Sequence, residues 1–347
     1  MDFGVQSEIV DDTSCWAFFV GAPRCGTTSL AKYLRGHPQA CLSRPKEPHF
    51  FAMRDLRHAS ESELRRILRS EYLDRFFTHR NGSPVLAEGS VSYLYAPDRV
   101  APVLRVWPHA KFIICIRNPL QMVPSLHQRH FVNGDETVRE FERAWALVPE
   151  RRKGRKIPRS CLDPRFLDYW EAGYLGKHVD KFLSVIGRER CLISIFDDLK
   201  ADPGAEYRRV LRFIGLPDDG KQDFEHHAQS KGCRIPWLQR LLQRPPRFAL
   251  SFLDSDDLHN PRFAEEAGPG LRKIINLRTA ILDWNEIPAK PRPIDAAVVD
   301  EMRTVYREDI ARLSAVIGRD LNWWIEPEQP AIAAADARRR KEVALQG

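Results

Sequence analysis

Long apolar runs are absent from this chain, and with them the ~20-residue stretches that a bilayer-spanning helix requires. The first fifteen residues carry Asp2, Glu8, Asp11 and Asp12 and no basic residue, the reverse of a secretory n-region, so a cytoplasmic location is expected. The seven cysteines form no CxxC pair and are odd in number, which argues against a disulfide framework or a zinc site and for a reducing compartment. No HExxH occurs either, and no metal is expected. Internal repeats are lacking. The excess of 54 Lys and Arg over 47 Asp and Glu suits an anionic ligand but is too diffuse to demand nucleic acid, and none is expected as a partner. Composition sets no oligomeric state.

The 347 residues, 43% apolar and 29% charged, suffice for one large buried core. A single domain is expected over 1–330, with 234–296 as an acceptor-side insert and 331–347 as a mobile or helical tail. Cys15 to Val20 is short, aromatic and β-branched and reads as a buried strand. It runs into the loop Gly21 to Gly26, after which Thr27 or Thr28 opens a helix that Gly36 and Pro38 end. Lys111 to Ile116 has the continuous hydrophobicity of a central parallel strand. Arg117 ends it, Asn118 fits a helix N-cap and Pro119 the first helical position. Cys191 to Phe196 repeats the pattern, followed by one helix to Gly215 and Pro217. A last helix, with Val299, Met302, Tyr306, Ile310, Leu313 and Ile317 on one face and Gly318 as its stop, is expected to pack on the sheet. Residues 150–164 and 244–293 read as irregular. Strands alternating with helices predict an α/β, P-loop-type three-layer fold with a central, mostly parallel sheet flanked by helices.

Two motifs carry chemistry. Gly21-Ala-Pro-Arg-Cys-Gly26-Thr27-Thr28 has the glycine spacing of a phosphate loop, in which backbone amides and a helix N-terminus meet an anion. It lacks the Gly-Lys-Ser/Thr ending of nucleoside-triphosphate loops. Thr27 stands at the lysine position, and the cation has moved to Arg24 inside the loop. In the second motif, Arg117 leaves a strand end and Ser125 lies about two turns into the next helix, so both can face the crevice beyond the strands. A guanidinium fork and a hydroxyl together suit a monoester phosphate.

In this order and separation the two motifs resemble those of the 3′-phosphoadenosine-5′-phosphosulfate (PAPS)-dependent sulfotransferases, in particular bacterial members similar to the heparan sulfate branch. The resemblance spans 16–216 and resumes at Gly318-Arg-Asp-Leu321 and Trp324. It implies PAPS as donor and no metal. The loop Gly21, Arg24, Cys25, Gly26, Thr27, Thr28 and Ser29 would hold the 5′-phosphosulfate, and Arg117 and Ser125 the 3′-phosphate. Arg44-Pro-Lys-Glu-Pro-His-Phe-Phe51 resembles the segment that supplies the family's catalytic glutamate, which Glu47 matches. A carboxylate there can take the proton of an attacking acceptor, with Lys46 beside it to balance charge at sulfur. His49 is the competing base, and His127 and His130 are weaker ones. In Ala87-Glu-Gly-Ser-Val-Ser-Tyr-Leu94 a glycine, Gly89, stands where the family often has lysine, so that role falls to Arg24 or Lys46 or is absent. Ser230-Lys231-Gly232 resembles a late loop that closes on the cofactor, which makes Lys231 a candidate phosphate ligand.

The acceptor is expected to carry a hydroxyl or an amine, on a glycan, a lipid or a small metabolite. The basic run Arg151 to Arg159 reads either as a lid that attracts anions or as a solvated loop. Trp237 to Leu242 is amphipathic and basic, and either packs on the core or makes a peripheral membrane contact. Two rivals stand beside the sulfotransferase: an ATP-dependent small-molecule kinase, and a nucleotide-binding relative without catalysis.

Overall fold

The computed structural model describes residues 15–224, 231–245, 269–289 and 292–326. Five strands, β1 (Cys15–Gly21), β2 (Ala40–Leu42), β3 (Val85–Glu88), β4 (Lys111–Ile116) and β5 (Cys191–Ile195), form one sheet in the order β2-β3-β1-β4-β5. Every pairing is parallel. Parallel strands covered on both faces need no polar alternation, and residues 16–20 and 112–116 are accordingly buried throughout. From β1 the chain crosses to β2 on one side and, after β3, passes to β4 on the other, so the carboxyl end of β1 is a switch point of the sheet. Open α/β sheets place their ligand crevice at the carboxyl ends of such strands.

Helix α1 (Thr27–Arg35) follows β1 directly, and α2 (Pro119–Asn133) follows β4. The Asn118 side chain accepts a hydrogen bond from Leu120 N (2.9 Å), and Pro119 takes the first helical position as its sequence predicts. Past β5 the expected single helix is two. Phe196–Ala201 ends at Asp202, whose carboxylate caps Ala205 N (2.8 Å), and Pro203, lacking an N–H, opens the next helix.

The C-terminal helix, Ala296–Ile317, packs chiefly on the helix Leu175–Ile186 rather than on the sheet. Gly176 permits this approach, since a Cβ there would lie 2.2 Å from Asp309 O. The Asp309 carboxylate in turn accepts from Gly176 N (2.7 Å) and Lys177 N (2.8 Å), capping the start of that helix.

Within 244–293, read as irregular, the described residues hold a 17-residue helix, Pro269–Asn285. Beside it, Lys231–Cys233 and Glu286–Pro288 pair antiparallel. Trp237 to Leu242 lies in a short helix, Pro236–Gln243, that buries Gln239 and leaves Trp237 and Leu241 exposed. The expected tail, 331–347, lies outside the described residues.

Candidate functional site

The loop after β1 is held in a shape that few residues adopt. Gly26 has φ 90°, and a Cβ on it would come within 2.6 Å of Leu199 Cδ2 and 3.1 Å of Phe196 Cδ2, so the position requires glycine on both counts. Arg24 is itself left-handed, with φ 63°. A bulky residue persists there only where its surroundings over-determine it, and such positions gather at ligand sites. Its Nε donates to Ser125 Oγ on α2 (2.9 Å), and Arg117 Nη1 donates to its carbonyl (3.3 Å). The two sequence motifs, 101 residues apart at Arg24 and Ser125, therefore meet.

Arg117 lies 4.4 Å above the Phe196 ring and donates from Nε and Nη2 to Gln121 Oε1. Among the described residues neither Arg24 nor Arg117 has a carboxylate within ion-pair distance. Burial pushes the pKa of both below the ordinary guanidinium value, and for Arg24 the positive charges of Arg129 and Arg117 add to this. Arg129 lies one turn beyond Ser125 on α2. It is a third cation that the sequence reading passed over, although the four-residue spacing from Ser125 places it on the same helical face.

The other wall is the segment after β2. Lys46 Nζ donates to Glu47 Oε1 (2.5 Å) and to Thr28 Oγ1 at the start of α1 (3.4 Å), which ties the segment to the loop. Glu47 Oε2 lies 3.6 Å from His49 Nε2, so the carboxylate sits between an ammonium and an imidazole. His49 has φ 53° and is held by its N–H on Ser90 Oγ (2.8 Å) and its Nδ1 on Ser92 Oγ (2.7 Å). Burial lowers its pKa, against the opposing pull of Glu47. The Lys46 side chain lies across Gly89, where a Cβ would stand 3.0 Å from Lys46 Cε.

The remaining expected residues divide. Thr28 faces outward, whereas Thr27 and Ser29 are buried, Ser29 against Tyr33. Cys25 is buried, its thiol on Pro23 O (3.4 Å) and its pKa raised well above the ordinary value by burial, which makes it inert. Lys231 pairs with Glu286 (2.8 Å), and Gln128 donates to its carbonyl (3.3 Å). His127 and His130 point away into an aromatic cluster. His127 Nε2 meets Val138 O (2.9 Å), while His130 stacks on Phe166 and is pushed down to about 3 by burial. The basic run is solvent-exposed over 152–156, as a solvated segment would be, but four of its cations are paired. Arg151 is buried on Glu136 (2.7 Å), Arg152 holds Asp168 (2.7 Å), and Arg155 and Lys153 share Glu150.

The sequence reading also missed how the turn after β4 is braced. Asn118 Nδ2 donates to Trp324 O (2.9 Å), and Trp324 Nε1 donates to Asp197 Oδ2 (3.1 Å). Trp324 is thereby tied to Asn118 and Asp197, the residues that follow Arg117 and Phe196 in the chain.

A parallel sheet with a glycine loop at its switch point, guanidinium groups without a carboxylate partner among the described residues around it and a carboxylate opposite is an arrangement that can hold an anion beside a proton-accepting group. The family model "Sulfotransferase family" matches residues 17–220, more than half of the chain, and the chain belongs to that family. Among curated proteins it is similar to the bifunctional heparan sulfate N-deacetylase/N-sulfotransferase 1 of Caenorhabditis elegans, 22% identical over 225 residues, which are 62% of this chain and 24% of that one. It is also similar to protein-tyrosine sulfotransferase A of the same species, 24% identical over 238 residues, covering 64% of this chain and 55% of the relative. The chain thus spans about a quarter of the first relative and about half of the second. A sulfotransferase from Alicyclobacillus acidocaldarius shares the fold at a TM-score of 0.58 and 23% identity, over 89% of this chain and 98% of its own. Among the described residues no helix is long and apolar enough to cross a membrane.

Proposed function

We propose that this protein is a PAPS-dependent sulfotransferase acting on a hydroxyl or amine, and that Glu47 is its base. The observation that carries the reading is the convergence of Arg24, Arg117 and Ser125 on the glycine loop with no carboxylate partner for either guanidinium among the described residues. Half-buried cations without counterions carry a desolvation cost, and an anion with two phosphate groups would offset it. The loop amides and Arg24 would hold the 5′-phosphosulfate, and Arg117 with Ser125 the 3′-phosphate. Thr28 and Lys46 adjoin where the two walls meet, so Lys46 is assigned the sulfuryl oxygens. Because its chain fills the space over Gly89, it takes the place of the lysine that the family pattern has at that position. Lys231 reaches a phosphate in this scheme only by releasing Glu286.

In the reaction the acceptor O–H or N–H gives its proton to Glu47 while the acceptor atom bonds to sulfur. The bond from sulfur to the bridging 5′-phosphate oxygen breaks, and its electron pair leaves on that oxygen, towards Arg24 and the loop amides. His49, kept neutral by burial, orients Glu47 from the far side. The acceptor belongs to a glycan, a lipid or a small metabolite. Heparan sulfate and protein tyrosine, named for the relatives, fall in the same chemical class. The exposed Trp237 and Leu241 are compatible with a peripheral lipid contact. The free state of all seven cysteines supports a reducing, cytoplasmic setting.

The test is calorimetric titration of adenosine 3′,5′-bisphosphate without metal, with AMP and ATP as controls and Arg117→Ala alongside. Binding that needs the 3′-phosphate and Arg117 is expected. Preference for ATP with magnesium would replace this reading by a kinase. Tight bisphosphate binding with no turnover on any acceptor class would leave a binding protein.

A further inference from the structure

Glu88 ends β3 one residue before Gly89 and is almost wholly buried. Its Oε2 receives two phenol hydroxyls, one from Tyr72 and one from Tyr93 (3.1 Å), while Oε1, also buried, has no well-formed hydrogen bond. No arginine or lysine pairs with it among the described residues. A buried carboxyl with no cation and one idle oxygen is expensive, so its retention calls for a physical account.

The account lies in what the residues from 89 to 93 hold. Tyr93 has one hydroxyl proton, and it is spent on Glu88. The oxygen lone pair is thereby turned to Phe51 N (3.2 Å), one of the donors that the short helix Phe50–Met53 leaves unpaired at its start. Ser90 Oγ takes His49 N (2.8 Å), and Gly89 N donates to Lys46 O (3.1 Å). The segment bearing Lys46, Glu47 and His49 is thus tied at both ends to the residues that follow Glu88.

We propose that Glu88 is the positioning residue of the transfer site: by orienting Tyr93, and with the adjoining Gly89 and Ser90, it fixes the 46–51 segment that carries Glu47. This rests on the sulfotransferase reading for its purpose, though not for its geometry. Glu88 touches no reacting atom and acts through the segment it anchors.

The groups that face this carboxyl are Tyr72, Tyr93, Ser90 and, from the opposite wall, Glu47. Burial pushes Glu88 up to about 7, against the hydroxyls of Ser90, Tyr72 and Tyr93, which pull it down. Hydrogen bonds to an ionised acceptor are stronger than those to a neutral one, so the hold on the segment tightens as pH rises through 7.

Hydrogen exchange of backbone amides in the full chain reads this directly. In Glu88→Ala and Tyr93→Phe, exchange across 47–53 should accelerate at least tenfold while the 21–30 loop keeps its protection. Glu88→Gln, which can still accept both phenols, should restore protection. After correction for intrinsic rates, protection of 47–53 in the unaltered protein should grow between pH 6 and 8, and in Glu88→Gln it should not. Unchanged exchange at 47–53 in Tyr93→Phe, or the same pH response in Glu88→Gln, would overturn the proposal. General acceleration in Glu88→Ala alone would mean unfolding, and the milder Tyr93→Phe then decides. Titration of adenosine 3′,5′-bisphosphate into the same samples separates the two ideas. Its failure to bind the unaltered protein sinks the sulfotransferase reading and leaves the anchoring to the exchange result.

Discussion

Two arginine-rich regions of this molecule look alike in sequence and differ in what surrounds them. Around the glycine loop, Arg24 and Arg117 are bonded to a hydroxyl, a carbonyl and an amide oxygen, and Arg129 adds a third like charge. In the denser run from 151 to 159, Arg151, Arg152, Lys153 and Arg155 each meet a carboxylate. Density of positive charge therefore does not mark the anion site. The missing counterion does, because an arginine already neutralised has little to offer a phosphate.

The largest effect that would sharpen this contrast is on stability. Arg151 and Glu136 are nearly inaccessible, and Glu136 also receives Tyr169 OH (3.0 Å) and the amides of Thr137 and Val138. Truncation in Arg151→Ala would strand that carboxylate, at a cost of about 3–5 kcal/mol in denaturant unfolding. Nucleotide affinity of the folded protein should not change. Burial pushes Glu136 up, but Arg151 and the two amides hold it below the usual carboxylate range. The pair's contribution is thus complete at neutral pH and is lost only as acid protonates Glu136 below its unfolded pKa.

Glu88 is the acidic counterpart of the bare arginines, a buried carboxyl held by phenol hydroxyls with no cation paired to it among the described residues. Its pKa rises from 4.5 to about 7 on folding, so the folded state binds the proton more tightly than the unfolded one. The stabilisation is full below pH 4.5 and is lost as pH climbs through 7, on the order of 3 kcal/mol at the upper limit. Unfolding midpoints should fall from pH 5 to pH 8 in the unaltered protein, and Glu88→Gln should flatten that slope. An equal slope in both would place the titrating group elsewhere.

Arg117→Ala should do the opposite of Arg151→Ala. Loss of charge-assisted bonds to a phosphate predicts about 1.5–3 kcal/mol of lost nucleotide affinity, roughly 10–100-fold. Thermal stability should hold within about 0.5 kcal/mol, since no ion pair is broken. A large fall in stability with affinity intact would break the comparison.

How much of this was legible beforehand follows from the range of the interactions. The strand, loop and helix units around Arg24 and Arg117 rest on local signals: continuous apolar strands, glycines at forced φ, and the Asn118-Pro119 cap. The helix Pro269–Asn285 was not legible, because Ile274, Leu277 and Trp284 are exposed and prolines flank it. The partition of the arginines was hidden for another reason. Arg151 finds Glu136 15 residues away, and Tyr72 finds Glu88 16 residues away, through packing that no periodicity encodes. Of the paired candidates at 46 to 49, sequence supplied the residue types, while the seat of Lys46 over Gly89 and the strained backbone of His49 are tertiary facts.

The smallest expected effect is the most direct challenge to the contrast. Arg155 is bonded to Glu150 through Nε (2.6 Å) and Nη2 (2.9 Å) in an exposed setting, and Lys153 lies 3.5 Å from the same carboxylate. Exposed pairs of this kind are screened by salt, and beyond the Debye length of about 8 Å at 0.15 M ionic strength their field hardly reaches an incoming ligand. Arg155→Ala should leave the unfolding midpoint and nucleotide affinity unaltered. The charge reversal Arg155→Glu should change the association rate for adenosine 3′,5′-bisphosphate by less than about twofold at that salt, with a somewhat larger change at ~0.01 M, where screening weakens. A rate that drops severalfold at 0.15 M would show that paired cations still steer the nucleotide, and the distinction between bare and neutralised arginines would then fail as a guide to the site.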